Sequence, residues 1–191
     1  MKTEIEARLL NCDAENFIQK LNEAGAKFVG DWIQIRHCYD FNPVNINSWI
    51  RLRTNGKETT LTIKEIHDKT ISGTKEWEIE VSDFVVADQI LNKMGYKARS
   101  KQENRRIRYM LDGVEIDIDF WPMIPTYVEF EAENEQLIID VCTKLGVNYN
   151  ELVTLDVSSI YETYGIVLQN IPIVCLEEDR KKKVFDIEKE R

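Results

Sequence analysis

The chain has 191 residues, of which 43% are hydrophobic and 31% are charged, and its formal net charge is −9. This length is sufficient for one well-buried core and requires no second domain. The negative charge disfavours a nucleic acid or an anionic membrane surface as the main partner, so an anionic ligand would need a local group of cations or a bound metal.

The opening stretch, MKTEIEARLL, alternates charged and apolar residues. In a strand, Ile5 and Leu9 would face one side, and Glu4, Glu6 and Arg8 would face the other. A solvated face explains one such strand cheaply. The question is what two carboxylates and a guanidinium face.

The same unit recurs twice along the chain. Residues 4–25, 78–95 and 129–146 each begin with Glu-apolar-Glu and continue into an amphipathic helical segment that ends in glycine. Asp13 and Asp83 are predicted N-caps, and glycine suits the C′ position of each helix. Ordinary alternation of strands and helices explains the helices, but it does not explain the carboxylate pair before each of them.

Between these units the sequence predicts β-structure. Residues 28–41 form one long predicted strand, and Asn55-Gly56 and Asp112-Gly113 are strong hairpin signals. About eight strands with short turns favour an antiparallel barrel with helices attached outside.

One face of nearly every predicted strand is charged or polar and the other is apolar. The charged face carries Glu4, Glu6, Arg8, Arg51, Arg53, Thr62, Lys64, Glu76, Glu78, Glu80, Arg106, Arg108, Glu115, Asp117, Asp119, Glu129, Glu131 and Glu133. The opposite face carries apolar residues such as Ile50, Leu52, Trp77 and Ile79, which we expect the helices to cover. We therefore predict an α+β fold: an eight-stranded antiparallel β-barrel tunnel with a charged lumen and helices packed outside.

A charged lumen has to be wide, wet and occupied, because unpaired buried charges are too costly. Clustered carboxylates suit Mg²⁺ or Mn²⁺, and clustered arginine and lysine suit phosphate oxygens. Together they predict a metal–polyphosphate site. The sequence has no Gly-rich phosphate loop, so side chains would hold the phosphates.

The order and spacing of these motifs resemble the CYTH, or triphosphate tunnel metalloenzyme, superfamily over residues 1–165. The matching features are Glu4-x-Glu6-x-Arg8, Arg51-x-Arg53, Lys64, Arg106 before a Tyr-x-x-Asp-Gly turn, Asp119, Glu129-x-Glu131 and the segment SSIYETYG. The resemblance implies a tunnel enzyme that cleaves at a phosphoryl group with the help of divalent metal.

The resemblance also implies roles for individual residues. The catalytic carboxylates, which would bind Mg²⁺ or Mn²⁺, are Glu4, Glu6, Glu129 and Glu131, with Asp119 supporting this metal cluster. The triphosphate would be held by Arg8, Arg51, Arg53, Lys64 and Arg106, to which we add Arg108 from the same strand face. Arg8 stands where the family usually has lysine; it keeps the charge but cannot donate or accept a proton in catalysis.

Three functions remain open at this point. The first is a metal-dependent hydrolase of inorganic, nucleoside or thiamine triphosphate, the second a class IV adenylate cyclase, and the third a non-catalytic polyphosphate-binding module. We place the tunnel domain at residues 1–170 and a charged tail at residues 171–191. We expect a triphosphate-containing small molecule as partner and no nucleic acid or membrane, and leave a homodimer open.

Two further features complete the sequence-based expectations. The four cysteines lack Cys-x-x-Cys spacing, no apolar run approaches the length of a membrane span, and no signal-peptide pattern is present. We therefore predict a cytoplasmic protein.

His37 shares its strand face with apolar residues, which predicts a packed or hydrogen-bonded histidine rather than a catalytic one.

Overall fold

The computed structural model describes residues 2–176, except for the side chains of Lys2 and Glu4. The strands are β1 (Lys2–Glu4), β2 (Glu6–Leu9), β3 (Lys27–Asp40), β4 (Ser48–Thr54), β5 (Thr59–Ile66), β6 (Thr74–Glu80), β7 (Ala98–Leu111), β8 (Val114–Phe120), β9 (Tyr127–Glu131) and β10 (Ile173–Val174). The α-helices are α1 (Ala14–Glu23), α2 (Phe84–Lys93), α3 (Glu135–Leu145) and α4 (Val157–Thr163).

The N-terminal strand joins the two edges of the sheet. It is interrupted at Ile5, so that β1 pairs with β6 and β2 pairs with β9. The full order is β1-β6-β5-β4-β3-β7-β8-β9-β2, with antiparallel neighbours throughout. With β1 and β2 counted as one strand, this is the predicted eight-stranded antiparallel sheet, curled so that one strand belongs to both edges. The predicted α+β fold is confirmed.

Local signals set the helix starts and the hairpin turns as predicted. The Asp13 carboxylate accepts hydrogen bonds from two backbone N–H groups of α1, and Asp83 accepts one from Val86 in α2. The turn between β7 and β8 places Asp112 and Gly113 at φ 49° and 84°. Positive φ at both central residues is the requirement of a type I′ hairpin, which explains the Asp-Gly pair.

Helices cover two parts of the outer face. α1 and α3 pack on the apolar side of β7, β8 and β9, where Leu21, Ile116, Phe130 and Ile138 are fully buried. α2 packs Ala87 and Leu91 against the residues of a second cluster on β3 and β4, namely Tyr39, Ile50 and Leu52. The apolar faces of these strands are therefore buried between the sheet and the helices, as predicted.

The expectation that the helices cover the whole apolar face is wrong for β6. Trp77 is 39% exposed and Ile79 is 61% exposed. These side chains are exposed because α2 packs on β3 and β4 rather than on β6. Two apolar residues of α2, Val86 and Ile90, are also exposed. Among the described residues, none from β6 belongs to the apolar clusters that the helices cover.

A buried polar network lies between β3 and α2, outside the barrel. His37 Nδ1 is 2.8 Å from the Asp88 carboxylate, and the Tyr39 hydroxyl donates to the same oxygen. Asn92 donates to the other carboxylate oxygen at 3.0 Å. His37 is thus the packed, hydrogen-bonded histidine that its strand face predicted.

The C-terminal segment adds backbone pairs to β2 and β7 of the barrel wall. Arg8 and Val153 form an isolated bridge, and β10 pairs in parallel with β7 at Lys101 and Gln102. Around α4, Tyr161 packs with Trp121 in a third apolar cluster. β10 thus falls inside the segment that we assigned to the tail; the domain boundary stays a prediction, and residues 177–191 lie outside the described residues.

Among the described residues, no helix is long and apolar enough to span a membrane.

Candidate functional site

The curled sheet surrounds a cavity of about 780 Å³. Most of the predicted site residues line it: Glu6, Arg8, Arg51, Arg53, Lys64, Arg106, Arg108, Glu129 and Glu131. The side chain of Glu4 lies outside what the structure describes, although its backbone belongs to β1. Asp119 is fully buried behind the cavity surface. All the predicted phosphate ligands and three of the predicted metal ligands therefore line one cavity.

The cavity has two chemically different sides. We name the first the carboxylate wall; it is formed by Glu6, Arg8, Arg106, Arg108, Glu115, Asp117, Asp119, Glu129 and Glu131 on β2, β7, β8 and β9. Sheet register brings these residues together, because β2 pairs with β9, β9 with β8, and β8 with β7. In this register Arg8 lies opposite Glu129, and Arg106 lies opposite Asp119.

Arg8 connects two carboxylates of this wall to the C-terminal segment. Its guanidinium is 2.5 Å from the Glu129 carboxylate and 2.9 Å from that of Glu6, and it donates to the Leu155 carbonyl at 2.7 Å. Arg8 is 4% exposed. Burial lowers the pKa of Arg8, but Glu129 and Glu6 outweigh it and raise that pKa well above its ordinary value. Arg8 therefore stays protonated.

Arg106 binds the largest set of carboxylates in this wall. Asp119 accepts two hydrogen bonds from it at 2.8 and 2.5 Å, Asp117 lies at 2.5 Å, and Glu129 at 3.2 Å. Asn104 donates to Asp119 at 2.9 Å. The structure thus places Asp119, a predicted support of the metal cluster, against a cation on the adjacent strand. Burial raises the pKa of Asp119, and Arg106 opposes this rise.

Arg108 forms a paired contact at the outer end of the wall. It donates two hydrogen bonds of 2.7 Å to Asp117 and lies 2.7 Å from the Glu115 carboxylate. Burial raises the pKa of Glu115 to about 7, and repulsion from Asp117 adds to the rise. Two carboxylates therefore compensate this predicted phosphate ligand.

We name the second side the cationic wall; it is formed by Arg36, Arg51, Arg53, Lys64, Glu76 and Glu78 on β3, β4, β5 and β6. Lys64 lies 2.7 Å from Glu76, but the arginine contacts are looser. Arg51 is 3.4 Å from Glu76 and from Glu78, and Arg53 is 3.9 Å from Glu78. Repulsion from Arg51 is the main reason that the pKa of Arg53 lies well below its ordinary value. This wall carries four cations and two carboxylates.

The two walls face each other closely enough to interact. Burial raises the pKa of Glu129, but Arg8, Arg106 and Lys64 outweigh burial and lower it. Lys64 belongs to β5, on the opposite side of the cavity from β9. A ligand between the walls would therefore meet cations on one side and carboxylates on the other.

Sequence reasoning missed the inner face of β3. Arg36 lines the cavity, and it lies directly opposite Arg53 in the β3–β4 pair. The alternation rule could have found it, because His37 and Tyr39 were placed on the apolar face, which leaves Gln34, Arg36 and Cys38 for the lumen.

The donor set fits a hard divalent cation in its chemistry. Glu6 and Glu131 are directly opposite each other in the β2–β9 pair, and Glu129 lies one pleat along. Carboxylate oxygens are the donors that Mg²⁺ and Mn²⁺ prefer. Among the described side chains, which do not include that of Glu4, no three carboxylate, cysteine or histidine groups are already gathered around a metal position. Glu6 and Glu129 are instead drawn to Arg8.

The architecture is that of an α+β tunnel protein with a charged lumen. The CYTH domain family matches residues 2–164, and the chain belongs to that family. No curated protein matches the chain.

Solved structures share the fold. The PH1012 protein from Pyrococcus horikoshii OT3 is 24% identical with a TM-score of 0.71, covering 82% of this chain and 98% of that one. A candidate adenylate cyclase from Vibrio parahaemolyticus is 12% identical with a TM-score of 0.69, covering 84% and 98%. HpAC1 from Hippeastrum, whose structure is reported with a dominant triphosphatase activity, is 13% identical with a TM-score of 0.61, covering 88% and 99%. At these identities the likeness concerns the fold.

Proposed function

We propose that this protein is a metal-dependent triphosphate hydrolase, acting on inorganic triphosphate or on a nucleoside or thiamine triphosphate inside the barrel. The observation that carries the proposal is the pairing of an incompletely compensated cationic wall with a carboxylate wall across one cavity. Membership of the CYTH family agrees with it.

The phosphate chain would lie along the cationic wall. Arg51, Arg53 and Lys64 come from two adjacent strands and offer donors to several phosphoryl oxygens at once. Arginine makes paired contacts with phosphate, and these charge-assisted hydrogen bonds are the strong ones. The weak carboxylate contacts of Arg51 and Arg53 leave these guanidinium groups ready to exchange partners.

The metal would lie at the carboxylate wall, held by Glu6, Glu129 and Glu131 and, in the proposal, by Glu4. When bound, Mg²⁺ or Mn²⁺ would offset the negative charge of the phosphoryl group and favour attack by water. Arg8 would keep Glu6 and Glu129 in place. It cannot shuttle a proton, so its contribution is positioning and electrostatic.

In the hydrolysis, a water oxygen would form a bond to the terminal phosphorus while the bond from this phosphorus to the bridging oxygen breaks, and the proton of the water would pass to a product phosphate oxygen or to bulk solvent. The leaving group, which is diphosphate or a diphosphate ester, and the transferred group would both gain contacts to the cationic wall as charge shifts, and such electrostatic stabilisation is the usual source of catalysis in phosphoryl transfer. We place the protein in the cytoplasm. Sedimentation analysis would decide whether it is a homodimer.

A substrate panel tests this function. The chain is incubated with tripolyphosphate, thiamine triphosphate or ATP in the presence of Mg²⁺, Mn²⁺ or EDTA, and orthophosphate and cyclic AMP are measured. The proposal expects orthophosphate from at least one substrate and only with metal. Cyclic AMP as the main product would favour the adenylate cyclase alternative, and binding without turnover would favour a polyphosphate-binding module.

A further inference from the structure

Arg36 is a buried cation inside the barrel without a carboxylate partner. It is 6% exposed, it lines the cavity, and no carboxylate of the described residues forms a salt bridge with it. Its terminal nitrogen Nη2 donates to the neutral amide oxygens of Gln34 at 3.0 Å and Asn104 at 2.6 Å. Its Nε is buried and has no hydrogen-bond partner.

The neighbours of Arg36 add positive charge. Arg53 lies directly opposite it in the β3–β4 pair, and like charges in this position repel. Burial, followed by repulsion from Arg51 and Arg106, lowers the pKa of Arg36 to about 10. The Nε of Arg51 is likewise buried without a hydrogen-bond partner. A buried charge of this kind is costly unless a ligand compensates it.

The guanidinium of Arg36 is nevertheless held in a fixed position. Its carbon Cζ lies 4.5 Å from the centre of the Trp121 ring, and the two amides orient one edge of the guanidinium plane. Trp121 is buried in the apolar cluster around α4. Fixing a donor before the ligand arrives reduces the entropy lost on binding, so this arrangement is typical of a binding group.

We propose that Arg36 is a phosphate-binding residue of the tunnel, which together with Arg51 and Arg53 binds a phosphoryl group of the polyphosphate chain. The guanidinium of Arg36 would donate to a phosphate oxygen, and the anion would relieve the repulsion among the three arginines. This inference rests on the proposed polyphosphate ligand, but it does not depend on turnover or on the metal.

Arg105 provides a matched control on the outer face of the sheet. It stacks on Phe120 at 5.1 Å, much as Arg36 stacks on Trp121, but it is partly exposed and forms a bidentate pair with Asp31. Replacing it removes the same charge from the chain without changing the cavity.

The test is calorimetric titration of the full chain with tripolyphosphate in EDTA, combined with the melting temperature of each free protein. We expect Arg36→Met to weaken tripolyphosphate binding about tenfold or more, as the loss of a charge-assisted hydrogen bond implies. Arg36→Lys, which keeps the charge but not the guanidinium plane, should have an affinity between those of the wild type and Arg36→Met. Arg105→Met should bind as the wild type does.

The outcomes are distinct. A structural role for Arg36 predicts a lower melting temperature of the free Arg36→Met protein with unchanged tripolyphosphate affinity, and that result would overturn the inference. If Arg36→Met does not fold, Arg36→Gln replaces it, and wild-type affinity in that variant is equally contradictory. A wild-type chain that does not bind tripolyphosphate in EDTA overturns the inference, and a wild-type chain that does not bind it with Mg²⁺ either contradicts the proposed function itself.

Discussion

Replacing Arg8 by alanine should destabilise the fold strongly, since this side chain connects Glu6 on β2 and Glu129 on β9 to the C-terminal segment. The change leaves the carboxylates of Glu6 and Glu129 buried beside each other without their guanidinium, and it removes the donor to Leu155. Breaking a buried ion pair by removing one partner costs about 3–5 kcal/mol. For a chain of this size, each kcal/mol shifts the melting temperature by about 2–4 °C. The expected decrease is therefore about 6–20 °C.

The assay is thermal unfolding followed by circular dichroism, with urea unfolding of the same samples. Arg105→Ala serves as the control, because its pair with Asp31 is largely solvent-exposed and should contribute no more than about 1 kcal/mol. Arg8→Lys keeps the charge and should lie between the wild type and Arg8→Ala. It should also remain active with an altered Michaelis constant, whereas Arg8→Ala should lose much more activity. If Arg8→Ala melts within about 2 °C of the wild type, the contacts of Arg8 do not stabilise the fold as argued above.

Three other predictions concern different parts of the molecule. Burial raises the pKa of Asp88, but hydrogen bonds from His37 and Tyr39 outweigh burial and lower that pKa below its ordinary value. Asp88→Asn should therefore reduce the free energy of unfolding by about 1–3 kcal/mol near neutral pH. Urea titrations should show this difference shrinking below about pH 4, where the wild type loses the same contribution. A pH-independent difference would contradict this account. Tripolyphosphate with Mg²⁺ should stabilise the fold by about 2.7 kcal/mol at a hundredfold excess over Kd and so raise the melting temperature, and Arg53→Ala should reduce this shift. If triphosphate does not change the melting temperature, Arg51 and Arg53 are ordinary strand charges. Glu131→Gln should keep the fold and lose turnover at limiting Mg²⁺, because it removes half the charge of one metal-binding strand pair; wild-type turnover in a folded variant would refute the metal role.

The alternation rule predicted which residues share the lumen because strand geometry is local. In a strand, Arg51 and Arg53 must face the same side whatever the rest of the fold does. The same rule, applied to β3, places Arg36 on the lumen side, because His37 and Tyr39 lie on the apolar face of that strand. The antiparallel barrel was predicted from the strands and their short turns, whereas the family was predicted from the resemblance of the motifs in their order and spacing.

The pairing of charges within the lumen could not be predicted in the same way. Arg8 meets Glu129 across 121 positions of sequence, and this contact depends on how β2 closes the sheet against β9. Likewise, the contact of Asp119 with Arg106 depends on the register of β7 and β8, and the role of Asp119 in supporting a metal cluster stays a prediction. The exposure of Trp77 has a similar origin, because the position of α2 over the sheet depends on tertiary packing.

The most direct test of the central claim is a crystal structure of the chain with Mn²⁺ and a non-hydrolysable triphosphate analogue. Anomalous scattering locates the metal independently of the phosphates. The account predicts Mn²⁺ coordinated by carboxylate oxygens of Glu6, Glu129 and Glu131, with the phosphate chain along Arg51 and Arg53. An analogue bound outside the barrel, or Mn²⁺ away from these carboxylates, would contradict it.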